Sequence, residues 1–242
     1  MLSETAKKVF ADLNMPYIAV AIKFCRNKPE GYEQAEGVDV FCSFLKKVQM
    51  EKKPFYFTVD NGKCMGRFIL GMMDLETNHG SGQVGAELNV FKSPAPNARL
   101  YYDAPTLKRG VCNFVVFCPV DQCTFDPDLV ICIADPNQAQ LLLRATSYIS
   151  GDLWESKCAY VMSCSWTYAY PYITGKVNHL FTGMHLGLQL QGTYPAGLHI
   201  ISIPYNKLDE VARALAEMKH EPDDMNERVE KIRDDINFPV KI

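Results

Sequence analysis

Three short runs of almost unbroken apolar residues, Asn113–Phe117, Asp128–Ala134 and Leu198–Ile203, constrain this chain more than any other feature. They have the length of strands, and they lack the polar alternation of a sheet with one wet face, so both faces must be covered. A fourth strand, Tyr17–Phe24, follows Pro16, and a shorter one runs from Phe55 to Val59. A sheet buried on both sides needs helices, and the intervening segments supply them. Phe41, Phe44, Leu45 and Val48 recur at helical spacing between Val38 and Glu51. Asp135-Pro136 offers an N-cap and a first-turn proline to a helix whose packed face is Ala139, Leu142, Leu143 and Tyr148, with Gly151 past its end. Other helical segments are the start of the chain, with Ser3 as N-cap, Phe68–Met73, and Asn206 to about His220. The expectation is an α/β fold, a mixed, mainly buried sheet with helices packed on it, forming a single globular domain over 1–242.

Two segments stand apart. Asp74–Arg109 is rich in Gly, Pro, Asn and Ser with one apolar piece near Val84–Phe91, the composition of a lid or binding loop. Glu221–Asp235 is densely charged and reads as a solvated surface helix.

Charge and hydropathy exclude several function classes. A formal net charge of −3 gives no electrostatic reason to expect nucleic acid or an anionic membrane as partner. No apolar run approaches the roughly 20 residues that span a bilayer, and the start of the chain lacks a secretory pattern. The expected setting is cytoplasmic, with a small-molecule cofactor or metabolite as partner and assembly into a homo-oligomer left open. Nine cysteines then become informative, because an odd number cannot pair off completely and thiols in a reducing compartment stay reduced unless they do redox work or bind metal. Cys132, inside an apolar strand, reads as core filler, as do Cys112 and Cys25.

A faint internal echo places the other cysteines in relation to one another. A strand leads to a helix carrying Cys42, then a turn, then Gly62-Lys63-Cys64-Met65-Gly66; later a strand and helix lead to Cys158-Ala159, a turn, and Gly183-Met184-His185-Leu186-Gly187. Taken as pseudo-repeats over 15–75 and 127–190, these pieces put Cys42, Cys64, Cys158 and Met184 around one pseudo-two-fold axis.

The same pieces carry a family likeness. Pro16–Phe24, the Cys42 helix, Gly62–Gly66 with Leu70-Gly71, Pro127–Val130, Asp135–Ala139, Gly151, Cys158-Ala159 and Ile203-Pro204 with Leu208 occur in the order found in domain of unknown function 169. The chain resembles that uncharacterised archaeal and bacterial family over nearly its whole length. The resemblance also implies a Gly-Cys-x-Gly element where this chain has Gly183-Met184-His185. A thiolate there would be exchanged for a thioether with an imidazole beside it, a set that fits a haem-like or mixed-ligand centre better than an all-cysteine cluster.

Cys42, Cys64, Cys158, Met184 and His185 are therefore the candidate soft ligands, for an iron–sulfur cluster or a haem-like tetrapyrrole, with the first three as metal ligands. Trp166 and Tyr168, in an aromatic run ending at Tyr172, are candidates to stack on such a planar group. The competing reading is a non-enzymatic module that holds a small metabolite near Trp166–Tyr172 while its cysteines are merely buried. Weaker motifs are the C-x₄-C of Cys118 and Cys123, the loop His79-Gly80-Ser81-Gly82, and Cys158 with Cys164, which lack a proton-accepting histidine nearby.

Overall fold

The computed structural model describes residues 2–221. In chain order the elements are α1 (Glu4–Asp12), β1 (Tyr17–Cys25), α2 (Phe41–Glu51), β2 (Phe55–Thr58), α3 (Gly66–Ile69), α4 (Thr77–Gly80), α5 (Gln83–Glu87), α6 (Pro94–Asp103) and β3 (Phe114–Pro119). They continue with β4 (Leu129–Ala134), α7 (Pro136–Ser147), α8 (Tyr170–Thr174), β5 (Asn178–Phe181), α9 (Leu186–Gln191), β6 (His199–Pro204) and α10 (Tyr205–Glu217). The α/β architecture is the expected one. Beyond Glu221, the surface helix read from the charge pattern lies outside the described residues.

The six strands form one sheet in the order β2-β3-β1-β4-β6-β5, and every neighbouring pair is antiparallel where a mixed sheet was expected. The reason is topological. A strand–helix–strand connection makes its two strands run the same way, but β3 is inserted between β1 and β2, and β6 between β4 and β5. The order also reads the same outward from the centre: β1, β3, β2 on one side and β4, β6, β5 on the other.

Alternate strand residues divide the core in two. On one face lie Val20, Ile22, Phe55, Phe57, Val115, Phe117, Leu129, Ile131 and Ile200, packed against α2 and α3 and against a helical stretch over 163–174. This face is aromatic: Phe41 meets Phe57 and Tyr168 edge-on, each at 4.9 Å between ring centres, contacts worth about 0.5–1.5 kcal/mol apiece beyond their burial. The opposite face carries small residues, Ala19, Ala21, Cys118, Cys132 and Ala134, which admit α1, α7 and α10 with their Phe10, Leu142, Val211 and Leu215. α7 starts as its sequence demands. The Asp135 carboxylate accepts from the Asn137 and Gln138 N–H groups while the Gln138 side chain accepts from Asp135 N–H, a closed capping box. Tyr148, expected on its packed face, is exposed just past its end.

The stretch read as an irregular lid is largely helical. α4, α5 and α6 pack on one another, and the chain returns to the core through Leu107 N–H to Ile69 O and Gly110 N–H to Gly71 O. Gly82, at φ +79°, lies so close to the Pro94 carbonyl that no side chain fits. Both rims of the sheet are engaged. Along β2, Ala35 N–H donates to Tyr56 O and Tyr56 N–H to Glu33 O. Along β5, the Asn178 side-chain amide accepts from Lys157 N–H and donates to Lys157 O, both at 2.9 Å. Among the described residues no helix is long and apolar enough to cross a membrane.

Candidate functional site

The start of a helix exposes backbone N–H groups that need acceptors. At α2 the N-cap Val40 has no side chain to offer, and a sulfur takes the place of a capping oxygen: Cys64 Sγ accepts from Phe41 N–H at 3.3 Å and from Gly66 N–H at 3.4 Å. Cys42 is the second residue of α2. Across from it, helical backbone begins at residue 163, so that Cys164 is likewise a second helical residue, followed by a π turn over Ser165–Ala169 that runs into α8. Met162, just upstream, is held at φ +63°, a left-handed conformation rare for a residue with a side chain and characteristic of constrained sites.

These two helix starts face each other on the aromatic side of the sheet. Cys42 Sγ lies 4.0 Å from Cys164 Sγ and 3.6 Å from Ser163 Oγ. The Cys164 thiol, then the Ser163 hydroxyl, hold Cys42 below the ordinary thiol range against the opposing effect of burial. Its partner Cys164, bound to the same sulfur and buried, is pushed well above that range. Partial positive charge at the start of α2 favours the same assignment, a thiolate on Cys42. Cys64 is raised by burial, with its two backbone donors pulling the other way. Gly66 links the thiols sterically: a Cβ built there would stand 3.3 Å from both Cys64 Sγ and Cys164 Sγ, and 2.9 Å from Phe41 Cβ. The two sulfurs are thus no more than twice that 3.3 Å apart, with no side chain from Gly66 between them.

The surroundings are tight. Leu45, Tyr168, Leu188, Tyr194 and Ile200 line a cavity of about 10 Å³ beside Cys42 and Cys164, at the lower limit for a single water. Tyr194 donates to Gln49 Oε1 at 2.7 Å, and Gln49 donates in turn to Ile18 O. Tyr168 Oη is buried without a hydrogen-bond partner among the described residues.

Of the residues singled out from sequence, Cys42 and Cys64 come together here. Trp166 and Tyr168 are buried beside them as packing, with Trp166 Nε1 donating to Val161 O. Cys158 is exposed and Met184 is 54% exposed, and neither has a hydrogen bond to the thiol group among the described residues. His185 is buried in the second half of the chain, where desolvation lowers its pKa against a backbone contact with Ala159. Among the described residues no group of three or more His, Cys, Asp and Glu side chains is placed to hold a metal ion. Cys164 entered the sequence reading only as a weak pair with Cys158, and Ser163 escaped it. The signal for Cys164 was a recurring Cys-Ser-aromatic pattern, Cys42-Ser43-Phe44 and Cys164-Ser165-Trp166. A larger cavity, about 380 Å³, is elsewhere, where α7, β5 and α10 meet; Leu143, Trp154, Lys176, His179 and Lys207 are among its walls.

The family model for domain of unknown function 169, described as Uncharacterised ArCR, matches residues 10–214. The chain belongs to this family. That span takes in all six strands and all three thiols of the site, so the family match covers the whole frame just described. A relative from Methanocaldococcus jannaschii, Uncharacterized protein MJ0308, is 24% identical over 220 residues, covering 88% of this chain and 93% of the relative. No solved structure matches the chain.

Proposed function

We propose that the chain is a thiol-based redox protein whose centre is the Cys42–Cys164 pair. The observation that carries this reading is the 4.0 Å approach of the two sulfurs, each in the first turn of its own helix. A disulfide needs about 2.05 Å between sulfurs, so closure asks for a shift of about 2 Å, shared between two side chains and a π turn. The chemistry is exchange with a small disulfide, RSSR. The Cys42 thiolate attacks one sulfur, forming a mixed disulfide and releasing RS⁻; the Cys164 thiol, giving up its proton, then attacks Cys42 Sγ and releases the second RS⁻. Two electrons pass to RSSR and the protein keeps one disulfide.

Hydroxyethyl disulfide is the test reagent. After incubation, alkylation and digestion without reductant, a peptide pair joined through Cys42 and Cys164 is expected, and Cys42→Ser and Cys164→Ser each abolish it. Persistence of free Cys42, or of its mixed disulfide unresolved by Cys164, overturns the reading.

A second reading is favoured by the 380 Å³ cavity, whose size suits a small metabolite. Saturable quenching of Trp154 emission by the planar anion anilinonaphthalene sulfonate, lost in Trp154→Phe, is the outcome it requires; no quenching removes it.

The internal duplication has support of its own. The helical stretch over 163–174 stands three residues before β5, as α2 stands three before β2, and both pack on the same face. Each ends on a left-handed residue, Lys52 or Gly175. In this alignment the counterpart of Cys42 is Cys164 rather than Cys158, the π turn absorbing one extra residue.

A further inference from the structure

Cys164 has two sulfur neighbours, and the second has no place in the exchange just described. Cys42 and Cys64 are both half-buried, whereas Cys164 is buried at 5% exposure. Cys42 borders the small cavity with Ser163, Leu188 and Tyr194. Cys64 stands at the head of α3, where Arg67 Nε donates to its carbonyl oxygen. Its sulfur is held by two backbone N–H groups at α2 and α3, donors that stabilise a thiolate leaving group or nucleophile as it forms. Gly66 keeps the path from Cys64 to Cys164 clear, since any side chain there would meet both sulfurs.

We infer that Cys164 is a resolving thiol shared by Cys42 and Cys64, which makes the site a disulfide relay between two different small thiol substrates. The inference rests on the redox reading above. A disulfide RSSR enters at Cys42 and leaves the Cys42–Cys164 bond. The Cys64 thiolate then attacks Cys164 Sγ, forming Cys64–Cys164 and releasing Cys42 as thiolate, with no net change in oxidation state. A thiol R′S⁻ attacks Cys64 Sγ, releasing Cys164, and a second R′S⁻ completes R′SSR′ while Cys64 leaves as thiolate. The sum is RSSR + 2 R′SH → 2 RSH + R′SSR′, and the protein returns unchanged.

The experiment is disulfide mapping of the full chain after substoichiometric hydroxyethyl disulfide, in wild type and four variants. Cys64→Ser is expected to yield only Cys42–Cys164, and Cys42→Ser only Cys64–Cys164. Cys164→Ser should accumulate mixed disulfides on Cys42 and Cys64. Gly66→Ala, with a methyl between the sulfurs, should lower the Cys64–Cys164 yield at least tenfold relative to Cys42–Cys164. Failure of Cys42→Ser to form Cys64–Cys164, while wild type still forms Cys42–Cys164, overturns the relay and leaves the redox reading standing. A dominant Cys42–Cys64 bond also overturns the relay. Absence of Cys42–Cys164 in both wild type and Cys64→Ser overturns the redox reading itself.

Discussion

The two faces of the sheet are built by different rules. One is regular: alanines and cysteines stand among Val116, Val130, Ile201 and Ile203 on the strands, with three helices of 9, 12 and 13 residues against them. The other is aromatic and irregular, with helices as short as four residues, a π turn, a left-handed methionine and a sulfur used as a helix cap. Cysteines occur on both. On the regular face Cys132 fills space within a strand, and Cys118 is hydrogen-bonded to Cys123, whose thiol it lowers to about 7; Cys42, Cys64 and Cys164 on the irregular face sit where helices begin. The comparison teaches that a thiol's state here follows from its immediate partners more than from burial: a second thiol lowers Cys42 and Cys123, and the start of α2 adds positive potential at Cys42, whereas Cys132, with burial alone, is raised.

The strongest attempt to break this division is Leu142→Ala, which empties a fully buried site on the regular face. It should cost about 2–5 kcal/mol of stability, measured by denaturant unfolding, yet leave the yield of Cys42–Cys164 disulfide unchanged. A fall in that yield under folded conditions would mean that the two faces are not independent.

A medium effect comes from pH. Burial pushes Cys132 up to about 12. The unfolded chain therefore releases that proton first, and the stability this group contributes is intact below about pH 8.5, then lost as pH rises toward 12. Its share of the decline approaches about 1.4 kcal/mol per pH unit, and Cys132→Ala should flatten the slope by that amount. Cys42, lowered by Cys164 and Ser163, should show the opposite behaviour in an alkylation profile, reacting at pH values where Cys132 is inert.

Much of this fold was legible in the sequence. The apolar run Asp128–Ala134 became β4, one residue shorter at its start, and Asp135-Pro136 opened α7 as read, because these signals are local. What escaped was set by distance or by shortness. Cys42 and Cys164 are 122 residues apart and meet only because the sheet folds their helices onto one face. Between Asp74 and Arg109, α4 and α5 are too short to show a period and α6 fully buries only Asn97, which donates to the Gly82 carbonyl, so no apolar stripe marks them. Cys64 was singled out as a metal ligand, and its role as the cap of α2 has no signature in composition.

The smallest expected effect sharpens the boundary of the site. Met184→Ala, at a half-exposed position, should change stability by less than about 0.5 kcal/mol and leave disulfide mapping as in wild type. A change in the Cys42–Cys164 yield would bring Met184 back toward the thiols.

The Asn178 side chain at the β5 rim has a consequence for association. Its amide presents one donor and one acceptor to Lys157, as a peptide group of a neighbouring strand would. An unpaired sheet edge is a template on which a second molecule can add a strand; here Ser156, next to the tethered Lys157, donates its hydroxyl to the His179 carbonyl of β5 and covers part of that edge. Asn178→Ala would remove the imitation and leave the Lys157 backbone groups without those partners. One asparagine thus holds the Ser156–Lys157 segment against the last strand of the sheet.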